Sequence, residues 1–277
     1  MFQINASIVL YKNKKEQLTK AINSFLKTDL KVKLYLIDNS SNDYLKKLAD
    51  IDNRIEYIFN NANLGYGTAH NIAIRKSIEE GALYHVVLNP DIYFEKGTIE
   101  RLAEYMEIHS DVGHMMPKVL YPDGEIQYLT KLLPTPADLI FRRFLPFKGW
   151  KEKKNFKYEL RFSGYDKIAN VPYLSGCFMF LRTKALQDVG MFDERFFMYP
   201  EDIDLTRRIH ANYKTIYYPE VSIVHEHEKA SFKSLKMMRI HMWNMIKYFN
   251  KWGWLFDVER KQFNNQLLKE LEYEENK

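Results

Sequence analysis

The residues best suited to chemistry lie in MFDERFFMYPEDIDLTRRI, residues 191–209, where Glu201, Asp202 and Asp204 follow Pro200 at the expected start of a helix. Proline fits a first helical turn because its missing N–H would have no intrahelical partner there. A carboxylate set at such a helix start, just after a run of aromatic residues, suits a general base. The competing reading is capping alone, since acids in a first turn favour the helix dipole by roughly 0.3–1 kcal/mol. Three features elsewhere weigh toward chemistry: a lone Asp after an apolar run, an Asn/Gly-rich turn and a late His.

The run VVLNPD sets Asp91 two residues beyond an apolar strand, where a carboxylate suits a divalent cation that holds a diphosphate. Mg²⁺ and Mn²⁺ favour oxygen ligands and use few protein groups when phosphates and water complete the shell. A plain turn residue is the alternative for Asp91. His225, in PEVSIVHEHEKAS, is a second ligand candidate, with His227 as its neighbouring competitor and a structural histidine as the other reading. In NNANLGYGTAHN, residues 60–71, Gly65 and Gly67 stand where missing side chains allow close backbone approach to a ligand. The turn lacks the strict GxGxxG pattern, no Walker lysine follows, and a plain Asn/Gly turn into a helix is the competing reading.

These groups need a scaffold. Residues 6–11, 33–37, 54–59 and 83–88 have β character, while 14–26, 69–78 and 99–109 show helical spacing. Strands alternating with helices imply right-handed crossovers and a mostly parallel sheet, with ligands beyond the carboxyl ends of the strands. Asp38 and Asp91 each follow a strand. Pro122-Asp123-Gly124 marks a turn, and residues 131–165, with three prolines and the lysine-rich KEKK, read as an inserted loop or helical flap, either a solvated surface excursion or a segment with an acceptor or membrane role. Residues 171–181 resume β character. Residues 232–256 mix lysines and Arg239 with Met, Ile, Phe and Trp, which suits an amphipathic helix at a bilayer interface or one packed back on the domain.

A chain of 277 residues with 46% hydrophobic content carries a substantial core, and one large domain is expected. A formal charge of +5 is too mild for a nucleic-acid protein, yet compatible with anionic substrates or an acidic membrane surface. The one cysteine, Cys177, excludes an intrachain disulfide framework and a multi-cysteine zinc site, and a reducing cytoplasm is expected. No signal peptide is expected at the N-terminus, and no segment approaches the roughly 18 uninterrupted apolar residues of a membrane span. Any membrane contact is therefore expected to be peripheral, at the inner face of the cytoplasmic membrane. Nothing in the sequence sets the oligomeric state.

Taken together, ASIVLY, IDNSSND, NLGYGTAHN, NPD, LSGCFMFLR, FDERFFMYPEDIDL and the late His225 make the chain from about residue 6 to about residue 231 resemble the family-2 inverting glycosyltransferases. The nearest likeness is to the bacterial rhamnosyltransferase-like branch that builds surface polysaccharides such as O-antigen or capsule. The resemblance implies an α/β fold of the A type, Rossmann-like, with a mostly parallel central sheet flanked by helices and a C-terminal helical extension. It implies a catalytic domain over 1–231, with a nucleotide-sugar half (1–125) and an acceptor half (126–231) that carries the flap. Residues 232–277 follow as an amphipathic helical segment.

The same resemblance makes Asp38 a contact for the nucleotide base, Asp91 a metal ligand, Asp202 the base with Glu201 its rival, and His225 a group near the diphosphate. Tyr11, Asn63, Gly65, Gly67, Asn71 and Asn89 complete the nucleotide-sugar set. Ser175, Gly176, Phe197 and Tyr199 are the acceptor candidates, with core packing the competing reading for Phe196 and Phe197. The implied cofactor is Mg²⁺ or Mn²⁺. The implied partners are a nucleotide-diphosphate sugar, dTDP-rhamnose first and UDP-hexoses next, and a saccharide or lipid-linked oligosaccharide acceptor. The diagnostic Asp-x-Asp stands here as Asn89-Pro90-Asp91, and the QxxRW signature of processive synthases is absent, which implies one sugar per encounter. The competing classes are a nucleotidyltransferase, against which stands the lack of a Gly-rich basic loop near the N-terminus, and a non-catalytic membrane-docking module.

Overall fold

The computed structural model describes residues 3–139, 148–226 and 235–273. The core is a nine-stranded sheet. Its strands are β1 (Gln3–Leu10), β2 (Lys31–Asp38), β3 (Ile55–Phe59), β4 (Tyr84–Leu88), β5 (Ile92–Tyr93), β6 (Val112–Leu120), β8 (Ala169–Asn170), β10 (Phe178–Arg182) and β11 (Lys214–His225). The order is β3-β2-β1-β4-β10-β6-β11-β5, with β8 beside β11. A separate pair joins β7 (Thr130–Lys131) to β9 (Tyr173–Leu174).

β1, β2, β3 and β4 pair in parallel, as do β6 and β11. β10 is antiparallel to both β4 and β6. Two reversals cancel, so β6 and β11 point the same way as β1 and β4. The expected mostly parallel sheet is therefore present, with β10 reversed at its centre and the two-residue strands β5 and β8 reversed beside β11. The central strands are near-continuous apolar runs: all five residues of β4 are buried. That is the mark of a strand covered on both faces.

The side-chain alternation of β4 shows the two layers. Tyr84, Val86 and Leu88 join the larger core with Leu18, Ile22 and Phe25 of α1 (Lys15–Leu26) and Leu102 and Met106 of α3 (Thr98–Ile108). Val87 points the other way, to Ile74 of α2 (Tyr66–Glu79), Leu186 of α6 (Thr183–Val189) and Leu205 and Ile209 of α7 (Glu201–His210). The spacing of Leu18, Ala21, Ile22, Phe25 and Leu26 gives α1 one buried stripe.

The flap holds α4 (Pro136–Leu139) and α5 (Lys148–Tyr158), and residues 140–147 between them lie outside the described residues. Its described ends are no solvated excursion, because Leu132, Leu133, Tyr158, Leu160 and Tyr165 are buried. The C-terminal segment forms α8 (Leu235–Trp252) and α9 (Val258–Glu270). The boundary expected near residue 231 lies outside the described residues, as does His227.

Candidate active site

The common direction of the parallel strands gathers their ends on one edge. Tyr11 follows β1, Asp38 ends β2, Asn89 and Asp91 follow β4, and His225 ends β11. Because β10 runs backwards, the residues before it, Ser175, Gly176 and Cys177, reach the same edge. A cleft of about 690 Å³ opens there, lined by Asn89, Ser175, Gly176, Tyr199, Glu201, Asp202 and His225 among others.

Glu201 and Asp202 are the first two residues of α7, and both are buried. Asp202 Oδ2 accepts the Gly176 N–H at 2.9 Å, and its Oδ1 accepts the Ile203 N–H at 2.8 Å. Gly176 has to be glycine for this approach, since a Cβ there would lie 2.9 Å from Asp202 Cβ. Burial pushes the Asp202 carboxyl up to about 6, against the opposing pull of those two N–H groups and Lys131. Burial, and then the charge of Asp202, holds Glu201 well above the usual carboxylate range. Glu201 Oε2 has no hydrogen-bond partner among the described residues. The pair is thus asymmetric: Asp202 has the donors that favour ionisation, and Glu201 keeps its proton.

The second cluster centres on Asp91. Gln127 Nε2 donates to the carbonyls of His225 (2.7 Å) and Leu120 (3.2 Å), so its Oε1 faces His225 Nδ1 at 3.0 Å. An amide oxygen only accepts, so Nδ1 carries the proton and the Nε2 of a neutral ring turns a lone pair toward Asp91 Oδ1, 3.3 Å away. That buried oxygen has no hydrogen-bond donor among the described residues. A buried carboxylate oxygen without such a donor, facing an imidazole nitrogen, could hold a divalent cation whose remaining ligands come from elsewhere. No group of three or more His, Cys, Asp or Glu suited to a metal occurs among the described residues.

The other predicted residues divide. Tyr11 is 46% exposed on the edge beside the β1–β2 ends. Asp38 is fully buried, its oxygens taken by Tyr57 Oη (2.6 Å) and Ser40 N–H (2.8 Å). Asn63 accepts the Gly65 N–H at 3.1 Å and closes the turn into α2. Gly65 and Gly67 face protein: a Cβ on Gly65 (φ +87) would meet the Phe197 carbonyl at 2.4 Å, and one on Gly67 would meet Phe192 at 2.8 Å. Asn71 is buried and binds both the N–H and the C=O of Phe192. Phe196 packs in a core with Ile203, Tyr248 and Phe249, whereas Phe197 is half-buried against Gly65. Tyr199 lines the cleft from a backbone at φ +96, a conformation that costs a bulky residue about 1–3 kcal/mol.

Sequence reasoning missed several cleft residues. Tyr66 Oη lies 2.7 Å from the Gly176 carbonyl and 3.0 Å from Asn89 Oδ1, bridging the two halves of the site. Lys131, Glu159 and Arg161 come from the flap. It also missed what holds α7 in place. Asn244 donates to the Met198 carbonyl at 2.9 Å, and His241 packs edge-on to Tyr199. Lys251 pairs with Asp193 (2.8 Å) and Asp204 (2.6 Å), and Trp252 Nε1 also donates to Asp204. Arg207 pairs with Asp257 and Glu259. Two of the lysines in 232–256 are therefore used against the 193–204 segment, Lys251 through its ion pairs and Lys247 on the Arg195 carbonyl.

Residues 7–190 match the family described as Glycosyl transferase family 2. The chain is 29% identical over 214 residues to the N-acetylglucosaminyl-diphospho-decaprenol L-rhamnosyltransferase of Mycobacterium tuberculosis, covering 72% of this chain and 68% of that protein. It is 26% identical over 251 residues to rhamnosyltransferase WbbL of Escherichia coli, covering 87% and 90%. Among solved structures, S. aureus TarS superposes with a TM-score of 0.59 at 16% identity over 96% of this chain, which spans 43% of that longer one. That likeness shows the fold.

Proposed function

The chain belongs to glycosyl transferase family 2 and is a glycosyltransferase, and from that premise we propose that it moves one sugar, with inversion, from a nucleotide-diphosphate donor to a saccharide hydroxyl. Asp202 takes the proton from the acceptor hydroxyl as that oxygen attacks the anomeric carbon from the face opposite the diphosphate. The observation that carries this reading is the Asp202 carboxylate in the cleft, its pKa raised by burial to about 6 and its ionised form held by two backbone N–H groups. A base poised near neutrality is at its most effective there. Glu201, kept protonated beside it, is a hydrogen-bond donor rather than a second base.

Asp91 and His225 would hold a divalent cation, which when bound supplies Lewis-acid stabilisation of the charge growing on the departing diphosphate. Gln127 fixes the imidazole so that Nε2 faces that position. Tyr11 and the 38–40 turn border the edge where a nucleotide base would lie, and Asp38, held by Tyr57 and Ser40, shapes that turn. Ser175, Gly176, Phe197 and Tyr199 bound the acceptor side. The catalytic unit is assigned to 1–231, with α8 and α9 as its brace.

The donor is assigned as dTDP-rhamnose, with UDP-hexoses next, and the acceptor as a lipid-linked saccharide of surface-polysaccharide assembly. The support is similarity to a rhamnosyltransferase whose name specifies a diphospho-decaprenol acceptor. Such an acceptor brings the protein to a membrane surface as a peripheral partner. Among the described residues no helix is long and apolar enough to cross one. Incubation with a panel of nucleotide sugars tests the donor: slow hydrolysis of dTDP-rhamnose above that of UDP-hexoses is expected, and release of pyrophosphate from a nucleoside triphosphate would replace the reading with nucleotidyl transfer.

A further inference from the structure

Large apolar side chains crowd the short turn that joins α8 to α9. Trp254 is 38% exposed, Leu255 79%, Phe256 93% and Val258 81%, with Trp243 at 61% on the outward stripe of α8. Clustered exposure of this kind marks an interaction surface. The turn is built rather than frayed. Gly253 adopts φ +97, and a Cβ there would lie 2.8 Å from the Phe256 carbonyl, so only glycine lets the chain fold back so tightly. Trp254 Nε1 bonds to Asn250. Asp257, between Phe256 and Val258, caps α9 by accepting the Arg260 N–H and turns its carboxylate inward to Arg207. With the polar residue held inside, its apolar neighbours are held out.

We propose that this turn is a docking surface for an anionic phospholipid bilayer. A tip of four apolar residues cannot bury the roughly 800 Å² per partner that a stable protein–protein interface needs, whereas a bilayer accepts isolated apolar side chains to their own depth. Lys261, one helical turn after Val258, is an exposed cation beside the tip that complements anionic headgroups, and exposed Arg239 and Trp243 lie farther along α8. Trp254 suits the boundary between headgroup and acyl region. The surface is coupled to the site: α8 touches the cleft wall through His241 and Asn244, about 15–20 Å along the helix from the tip. Docking would thus fix the height of the cleft above the membrane.

The inference rests on the proposed lipid-carried acceptor for its purpose, and its test is independent of turnover. The whole protein is sedimented with vesicles of phosphatidylglycerol and, separately, of phosphatidylcholine, without donor or acceptor. Binding to the anionic vesicles is expected, weakened at least about tenfold by Leu255→Ser with Phe256→Ser and less by Lys261→Glu, while donor hydrolysis and thermal melting stay unchanged. Equal binding by parent and double variant would overturn the proposal. So would a parent that binds no vesicle, or one that is a dimer in sedimentation velocity and becomes a monomer in the double variant. Failure of transfer to a soluble acceptor saccharide would count against the proposed function alone.

Discussion

Arg207 grips Asp257 through two parallel bonds of 2.7 Å, fixing the helix that begins with Glu201 and Asp202 to the turn between the last two helices. Both side chains are nearly inaccessible, and the guanidinium also lies 4.0 Å from the centre of the Trp252 ring.

Removing one member of such a pair strands the other. Arg207→Leu leaves Asp257 buried without its main counter-charge and is expected to cost about 3–5 kcal/mol. At roughly 2–4 °C per kcal/mol for a chain near this size, the melting temperature should fall by about 10 °C. An unchanged melt would show the clamp to be ornamental.

Asp202→Asn keeps the shape and removes the proposed base. Turnover is expected to fall about 10²–10⁴-fold with donor affinity nearly intact. Burial lifts this carboxyl to about 6, and a base works only when ionised, so the wild-type rate should climb as pH rises through about 6. A pH profile that keeps this limb in the Asn variant would reassign the titrating group.

Asp91→Ala removes the orphaned oxygen that faces His225. Donor binding should weaken along with rate, and the variant should lose whatever response to chelator the parent shows. Calorimetry with a nucleoside diphosphate, with and without Mg²⁺, reads this directly. Equal affinity in parent and variant under both conditions would dismiss the cation site.

Stability should decline in acid. Burial pushes His85 and His114 down to about 3, below the ordinary 6.5, so between those values the unfolded chain binds protons that the folded one does not. Stability is then complete above pH 6.5 and is lost as pH falls. Neither ring nitrogen of His114 has a hydrogen-bond partner among the described residues. His114→Leu should therefore reduce the pH slope of unfolding free energy by up to about 1.4 kcal/mol per unit between pH 4 and 6, measured by denaturant titration. An unaltered slope would refute the assignment.

The elements that place Asp38, Asp91 and Asp202 were legible because each follows local periodicity: apolar strands ending in Asp38 or before Asp91, and Pro200 ahead of an acidic first turn. Residues 171–181 read as one β run, yet the chain breaks at Ser175 to Cys177, and that break delivers the Gly176 N–H to Asp202. Gly65 and Gly67 announced a close approach, but spacing does not say to what, and the neighbour is Phe197 and Phe192. The pairing of Lys251 with Asp204 spans too much chain to leave any periodic trace. A basic, aromatic helix looks the same in sequence whether its lysines meet headgroups or carboxylates.

The reversed strand β10 has a consequence for how the molecule comes into being. β4 and β6 do not touch each other in the sheet; each is joined to Phe178–Arg182, which leaves the ribosome some sixty residues after β6. Until that wedge arrives, two hydrophobic strands wait with bare hydrogen-bonding edges. A nascent chain halted before residue 178 would be a sticky, aggregation-prone fragment.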